Sequence, residues 1–581
     1  MLGRTQGSIP AVSTEAAGPP PGRLALVGRI DSWTFGALLL SALVALPVLV
    51  VLAFLFYPAG DVWRHLVDTV LVDYVRNSLL LMIGVACGTL ALGVSSAWLV
   101  TSCRFPGRRF FEWALLLPLA VPAYIIAYTY TGMFDFAGPV QGALREWFDW
   151  GRDDYWFPEV RSLPGAVVML SLVLYPYVYL LTRTAFLEQS AYAVDVSRTL
   201  GCGPWSSFWR VSLPSARPAI IAGLSLALME TLADYGTVKY FGVPTFTTGI
   251  FRTWFGLGDS AAAAQLSALL MSFVFALILI ERWSRRRARY HHLGSRSRPP
   301  YTYDLRGLRA TLAFAACALP LLLGFALPGA QLAAWAVHTA AETLDARFLV
   351  LVLNTLGLAT ATAVLAVLLA SFLAYARRLR RSRLVAGAAR LASMGYAVPG
   401  TVIAVGVLLP FAWIDNTVDA WTRAHLGFST GLLLSGTLFA LLFAYLVRFL
   451  AASLQTVEAG LGKITRAMDD AARSLGYRAH EVIARVHLPM LRGSLLTAAL
   501  LVFVDVMKEL PATLVLRPFD FNTLAVRAYE LASDERLEES ATAALAIVVA
   551  GLVPVLILSA SIARSRLRET RALAVPHAAA T

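Results

Sequence analysis

Along the chain, uncharged apolar stretches alternate with short polar segments. Each runs for about 20 residues, the length a helix needs to cross roughly 30 Å of hydrocarbon. They lie near residues 35–57, 77–100, 111–134, 165–183, 218–241 and 262–281. Six more follow near 310–330, 348–375, 388–413, 430–451, 494–516 and 540–562. The pattern predicts an all-α polytopic membrane protein with about twelve transmembrane helices.

The polar segments carry a second pattern. "DVSRTLGCGPWSSFWRVSLP" (195–214) and "DAARSLGYRAHEVIARVHLP" (470–489) align without a gap, 275 residues apart. "RNSLLL" (76–81) resembles "LNTLGL" (353–358), "AVPAYIIA" (120–127) resembles "AVPGTVIA" (397–404), and Arg252 pairs with Arg527. The chain is therefore a tandem duplication of six-helix halves, each expected to be one folding unit. The expected boundaries are a disordered Pro/Gly-rich tail at 1–34, a first half at 35–281, a basic linker at 282–309, a second half at 310–562 and a tail at 563–581. An even number of spans inserts both halves in the same direction, so a pseudo-two-fold axis along the membrane normal relates them.

Charge orients this arrangement. Only 15% of the residues are charged and 58% are hydrophobic, yet the net charge is +13. The excess is clustered: Arg104, Arg108 and Arg109 follow the second span, Arg282 to Arg289 the sixth, Arg377 to Arg383 the eighth and Arg564 to Arg571 the last. Simple alternation puts all four clusters, both termini and both repeated loops on one side, which the positive-inside rule makes cytoplasmic. The basic balance thus reflects topology in a lipid bilayer, and no nucleic-acid partner is expected. The N-terminal segment lacks a signal-peptide pattern, so the first span is expected to be an uncleaved anchor. Cys87, Cys103, Cys202 and Cys317 show neither a disulfide framework nor a zinc spacing.

Each repeated loop reads as a short helix, a bend and a second short helix at the membrane surface. Gly201 and Gly476 stop the first helix, and Leu213-Pro214 and Leu488-Pro489 are expected to end the second. The residues resemble the "EAA" loop of ABC importer permeases, in which an acidic and two small residues precede a Gly and then Ile-x-Leu-Pro. Here Asp195, Val196, Ser197 and Gly201 stand in the first copy, and Asp470, Ala471, Ala472 and Gly476 in the second. Val211 and Val486 replace the Ile. The resemblance implies a MetI-like fold, docking of each loop on one of two cytoplasmic ABC ATPase subunits, and a periplasmic substrate-binding protein. "GLGKIT" (460–465) lacks the first Gly of a phosphate loop, because Val457 stands there. ATP and Mg are thus expected on the partner, with no cofactor bound by this chain and no enzymatic activity of its own.

The fifth span of each half carries acids that hydropathy does not explain, Glu230 and Asp234 in the first and Asp505 and Glu509 in the second. Their i, i+4 spacing predicts two carboxylates on one helix face. At membrane depth each costs roughly 2.5–3.5 kcal/mol, so they call for a polar route between the halves or for ion pairs with Lys239 and Lys508. A carboxylate-lined route suits a cation, and hard cations prefer oxygen ligands. "MKELPATLVLRPFDFNTLAVRAYELAS" (507–533) and "TLADYGTVKYFGVPTFTTGIFRTW" (231–254) resemble fused ferric-iron ABC permeases of the bacterial inner membrane. That resemblance implies ferric iron as cargo. Thiamine or polyamine importers of the same class, and a twelve-helix secondary transporter, are the alternatives.

Overall fold

Within a bilayer every backbone polar group must be satisfied inside the protein, and a helix does this locally. The computed structural model is accordingly helical throughout its apolar segments. It describes residues 31–58, 60–188, 196–197, 199–286, 302–380 and 382–574. Among these, 11 helices are long and apolar enough to cross a membrane, or up to 12 if one bent pair counts as a span. Residues 1–30, most of the tail expected to be disordered, lie outside the described residues. So does Asp195.

The first half comprises α1 (Ser32–Ala53), α2 (Leu71–Ser102), α3 (Arg108–Ala114), α4 (Ala123–Phe134), α5 (Leu163–Glu188), α6 (Leu213–Ala233), α7 (Gly236–Tyr240) and α8 (Ser260–Arg286). The second comprises α9 (Leu308–Thr343), α10 (Ala346–Leu379), α11 (Arg383–Ala392), α12 (Gly400–His425), α13 (Leu438–Leu461), α14 (Arg466–Ser474), α15 (Leu488–Met507), α16 (Pro511–Leu516) and α17 (Leu537–Ala574). Short helices connect these. The last helix continues past residue 562, where the sequence suggested a tail.

Two expected spans are broken in both halves. The third span bends by 90° between Ala120 and Ala123 in the first half. Its repeated Val-Pro is the cause, because proline excludes the preceding residue from the α region. Val121 and Val398 accordingly sit at ψ 122° and 126°, and α4 and α12 restart after Pro122 and Pro399. The fifth span breaks at the acids, between α6 and α7 and between α15 and α16. The two carboxylates of each pair therefore do not share one helix face. Glu230 and Asp505 are helical, whereas Asp234 and Glu509 lie in the breaks.

Helices in lipid associate by close packing rather than by hydrophobic transfer, which favours small residues at their contacts. In the first half α2, α5 and α6 form the central layer, as α10, α13 and α15 do in the second. A Cβ at Gly93 of α2 or Gly223 of α6 would stand 2.8 Å from Val178 of α5. The outer surface carries exposed Leu39, Ile83, Leu319, Leu353 and Leu368, suited to lipid tails.

The two halves also pack on each other through their first helices. The first helix, α1, packs on α11 and α12 of the second half. Gly406 of α12 faces the Pro47 backbone, Trp33 stacks on Phe372 at 5.3 Å, and Asp31 pairs with Arg380 at 2.7 Å. Conversely α9 reaches α2 and α4 of the first half, with Trp335 against Gly132. The repeated asparagines fix each half internally: Asn77 Nδ2 donates to the Pro244 carbonyl (3.0 Å) and Asn354 Nδ2 to that of Asn522 (3.3 Å).

Candidate functional site

The four breaks meet at one place. A cavity of about 110 Å³ lies between the halves, lined by Pro122 and Tyr124 after the first break, and by Glu230, Asp234, Asp505 and Glu509 from both fifth spans. All four predicted acids thus come together. Asp234 accepts from the Val238 amide (3.1 Å) and the Thr237 hydroxyl (2.9 Å), so from just before α7 it holds that helix's first turn. Glu509 does the same for α16, accepting from the amides of Ala512 (3.1 Å) and Thr513 (3.2 Å). The residues 275 apart therefore perform one local task twice: a carboxylate ends the spanning helix and begins the short one.

Ion pairing accounts for part of the remaining charge. Lys508 Nζ lies 3.0 Å from Asp505, as expected, but Lys239 is exposed on α7 and does not neutralise its half. The residue that sequence reasoning missed is Arg448 of α13. It is 9% exposed, bonds Glu509 at 2.8 Å and approaches Glu230 of the other half at 3.9 Å. Its signal was a lone arginine in the apolar run "FAYLVRFLAA". Four carboxylates thus face two cations. Among the described residues no three His, Cys, Asp or Glu side chains converge closely enough to hold a metal ion.

The repeated loops form the second site. In the second copy α14 ends at Leu475, Gly476 takes φ +85°, and a short helix (Ala479–Val482) follows. Gly201 takes φ +81° at the same place in the first copy. Ser197 and Ala472 are both buried, while Val196, Ala471 and Asp470 are exposed. Pro214 and Pro489 do not end a helix, contrary to expectation. Each sits in the first turn of α6 or α15, entered through a π-helical turn at Phe208–Ser212 or Ile483–His487. The wider turn absorbs the amide that proline lacks, so the loop runs rigidly into the spanning helix that carries the acids.

Different contacts hold the two loops to the bundle. Trp98 at the end of α2 stacks on Trp205 (5.5 Å) and meets Phe208 (5.2 Å) in the first copy. In the second, Arg378 at the end of α10 bonds Asp469 at 2.8 Å, and His487 bridges Asp469 (2.6 Å) and the Tyr375 hydroxyl (2.8 Å). The ends of α2 and α10, where two arginine clusters begin, thus share a face with both loops.

The model of the binding-protein-dependent transport system inner membrane component matches residues 89–290 and 366–569, one domain per half. The chain belongs to this family. Permeases of this kind are transport subunits of the inner membrane, and the secondary-transporter alternative falls away. The Fe(3+)-transport system permease protein FbpB 2 of Haemophilus influenzae is 27% identical over 490 residues, covering 84% of this chain and 89% of that protein. The molybdenum transport system permease protein ModB of Escherichia coli is 28% identical over 207 residues, 35% of this chain and 87% of ModB. The sulfate permease CysT of the same organism is 29% identical over 151 residues, 26% of this chain and 50% of CysT. The repeated loops and the inter-half cavity fall within the two matched domains of this binding-protein-dependent permease.

Proposed function

We propose that this permease moves ferric iron, delivered by a periplasmic binding protein, into the cytoplasm. Two copies of a cytoplasmic ATPase drive it from the two repeated loops, and both termini face the cytoplasm. The observation that carries the reading is the inter-half cavity, with four carboxylates against two cations. Such a field favours a cation and repels an oxyanion. The similarity to a ferric permease across both halves supports it further, whereas the molybdenum and sulfate permeases align over 35% of the chain or less.

In this reading ATP-driven closure of the partner subunits draws the loops together. Because each loop continues without a break into α6 or α15, the motion reaches Glu230 and Asp505, and the cavity opens to alternate sides. The test is energy-dependent uptake of radiolabelled ferric iron in cells lacking the gene and complemented with it. Restored uptake supports iron. Equal uptake with and without the gene removes iron and directs the same assay to thiamine and polyamines, then molybdate.

A further inference from the structure

The cavity is two-fold in its carboxylates and lopsided in everything else. Both bases belong to the second half, where Lys508 holds Asp505 at 3.0 Å and Arg448 holds Glu509 at 2.8 Å. The residues 275 positions earlier are Ala233 and Val173, apolar lining of the same cavity. The first half contributes most of the phenols, Tyr124, Tyr177 and Tyr235 against Tyr396 of the second half. Tyr124 and Tyr235 line the cavity, and the repeat places Thr401 and Leu510 opposite them. Among the described residues Asp234 accepts from neutral donors, and the one ion pair of Glu230 within 4 Å is the long approach of Arg448.

Among the buried side-chain atoms without a hydrogen-bond partner, the Tyr124 hydroxyl and Arg448 Nε belong to residues that line this cavity. The Tyr124 hydroxyl is buried, in a residue 5% exposed, and no hydrogen bond reaches it. It lies within electrostatic reach of Asp234 and Glu509. A buried hydroxyl is normally paired, so an orphan on a cavity wall beside an unneutralised carboxylate points to a group that the cavity receives.

We infer that Asp234, Glu230 and the Tyr124 phenol form a transit site for a hard trivalent cation, while Asp505 and Glu509 are neutralised by built-in bases and secure the second half. This rests on the reading that cargo passes through the cavity. Carboxylate and phenolate oxygens suit ferric iron. The iron–oxygen bond to Tyr124 forms as its O–H bond breaks, the proton leaving to water, and iron stays ferric. Three protein oxygens leave the rest of the coordination shell to water or a carried anion. That keeps the site weak enough to release its ion, as conduction requires.

The test uses the full-length chain in lipid nanodiscs, titrated with ferric nitrilotriacetate and read by the visible phenolate-to-iron charge-transfer band. The wild type should show the band and Tyr124→Phe should lose it. Asp234→Asn should weaken ferric binding about tenfold or more, equivalent to at least 1.4 kcal/mol. Asp505→Asn combined with Lys508→Met should weaken it less. Tyr445→Phe controls for general damage, since that hydroxyl bonds Thr513 at 2.5 Å outside the cavity lining, and it should keep the band. A band that survives Tyr124→Phe, or its absence from the wild type, overturns the site. So do equal losses from Asp234→Asn and the paired variant. Ferric uptake by cells without any band would sink this site and leave the iron reading standing. Uptake of molybdate instead of iron would sink both.

Discussion

Leu200 and Leu475, 275 residues apart, project equally from the two copies of the repeated loop, 78% and 76% exposed. Each immediately precedes the glycine that turns the chain. Two matched apolar side chains in water around a pseudo-two-fold axis suit a pair of identical partner grooves, which is how the loops would engage the ATPase subunits. Leu200→Glu and Leu475→Glu should each remove about 2 kcal/mol or more of docking free energy, since buried anchors dominate such interfaces. Affinity purification of the tagged permease should then recover little ATPase, at unchanged abundance in the membrane. Full recovery with the double variant would place docking elsewhere.

Gly201 and Gly476 make a separate point, because nothing lies within 4 Å of a Cβ added at either. Any cost of substitution is therefore conformational. At φ +81° and +85° a side chain costs about 1–2 kcal/mol, and more for a β-branched residue. Gly476→Val should tilt α14 against the short helix that follows, lowering transport-coupled ATP hydrolysis while the chain still inserts. Gly493→Val is a control, as that glycine also has open space, and it does not carry a positive φ. Equal behaviour of the two variants would remove the left-handed turn from the coupling path.

The second loop should also respond to acid in a way the first does not. Burial works against the Asp469 carboxylate, but hydrogen bonds from Arg378 and His487 outweigh it and hold its pKa below the usual carboxylate range. A depressed folded-state value stabilises the folded loop fully above the unfolded carboxylate pKa, and that contribution fades as pH falls through the folded value. Loop two should therefore loosen at acidic pH, while the Trp98–Trp205 stack of loop one should not. Asp469→Asn should cost about 1–3 kcal/mol at neutral pH by leaving Arg378 poorly paired. Hydrogen exchange measured separately over 466–488 and 204–213 would check this, and parallel acid responses would refute it.

Much of this was legible in the sequence because a duplicated chain repeats its constraints. The loops, the four acids and the Val-Pro pairs all announce themselves by recurring at matched positions. What recurrence does not convey is backbone continuity. Glu230 and Asp234 read as one helical face, yet the helix stops at Ala233 and Asp234 holds the first turn of the next one. Pro214 and Pro489 read as stops, yet a π turn admits them to a continuous helix. Asymmetric features were hidden for the opposite reason. Arg448 and Tyr124 have no counterpart in the other half, so only their convergence on the cavity reveals them. The exchange of α1 onto α12 depends on contacts between residues hundreds of positions apart, such as Pro47 with Gly406, which no local pattern encodes.

Arg448 offers the most severe test of how the cavity is held together. Its guanidinium joins α13 to Glu509 in the same half and approaches Glu230 in the other, and Glu509 is only 4% exposed. Removing one member of a buried pair strands the other charge, which typically costs about 3–5 kcal/mol, whereas removing both can be nearly neutral. Arg448→Met should therefore lower the thermal unfolding temperature in detergent sharply. Arg448→Met with Glu509→Gln should recover part of the loss, because the uncompensated charge is gone and the amide oxygen still accepts from one of the two sites, the Ala512 amide or the Thr513 amide and hydroxyl. Recovery by Glu509→Gln but not by Glu230→Gln would make Glu509 the true partner and leave Glu230 to the cargo. The reverse would mean that Arg448 clamps the two halves together, and that the cavity opens only when this clamp releases.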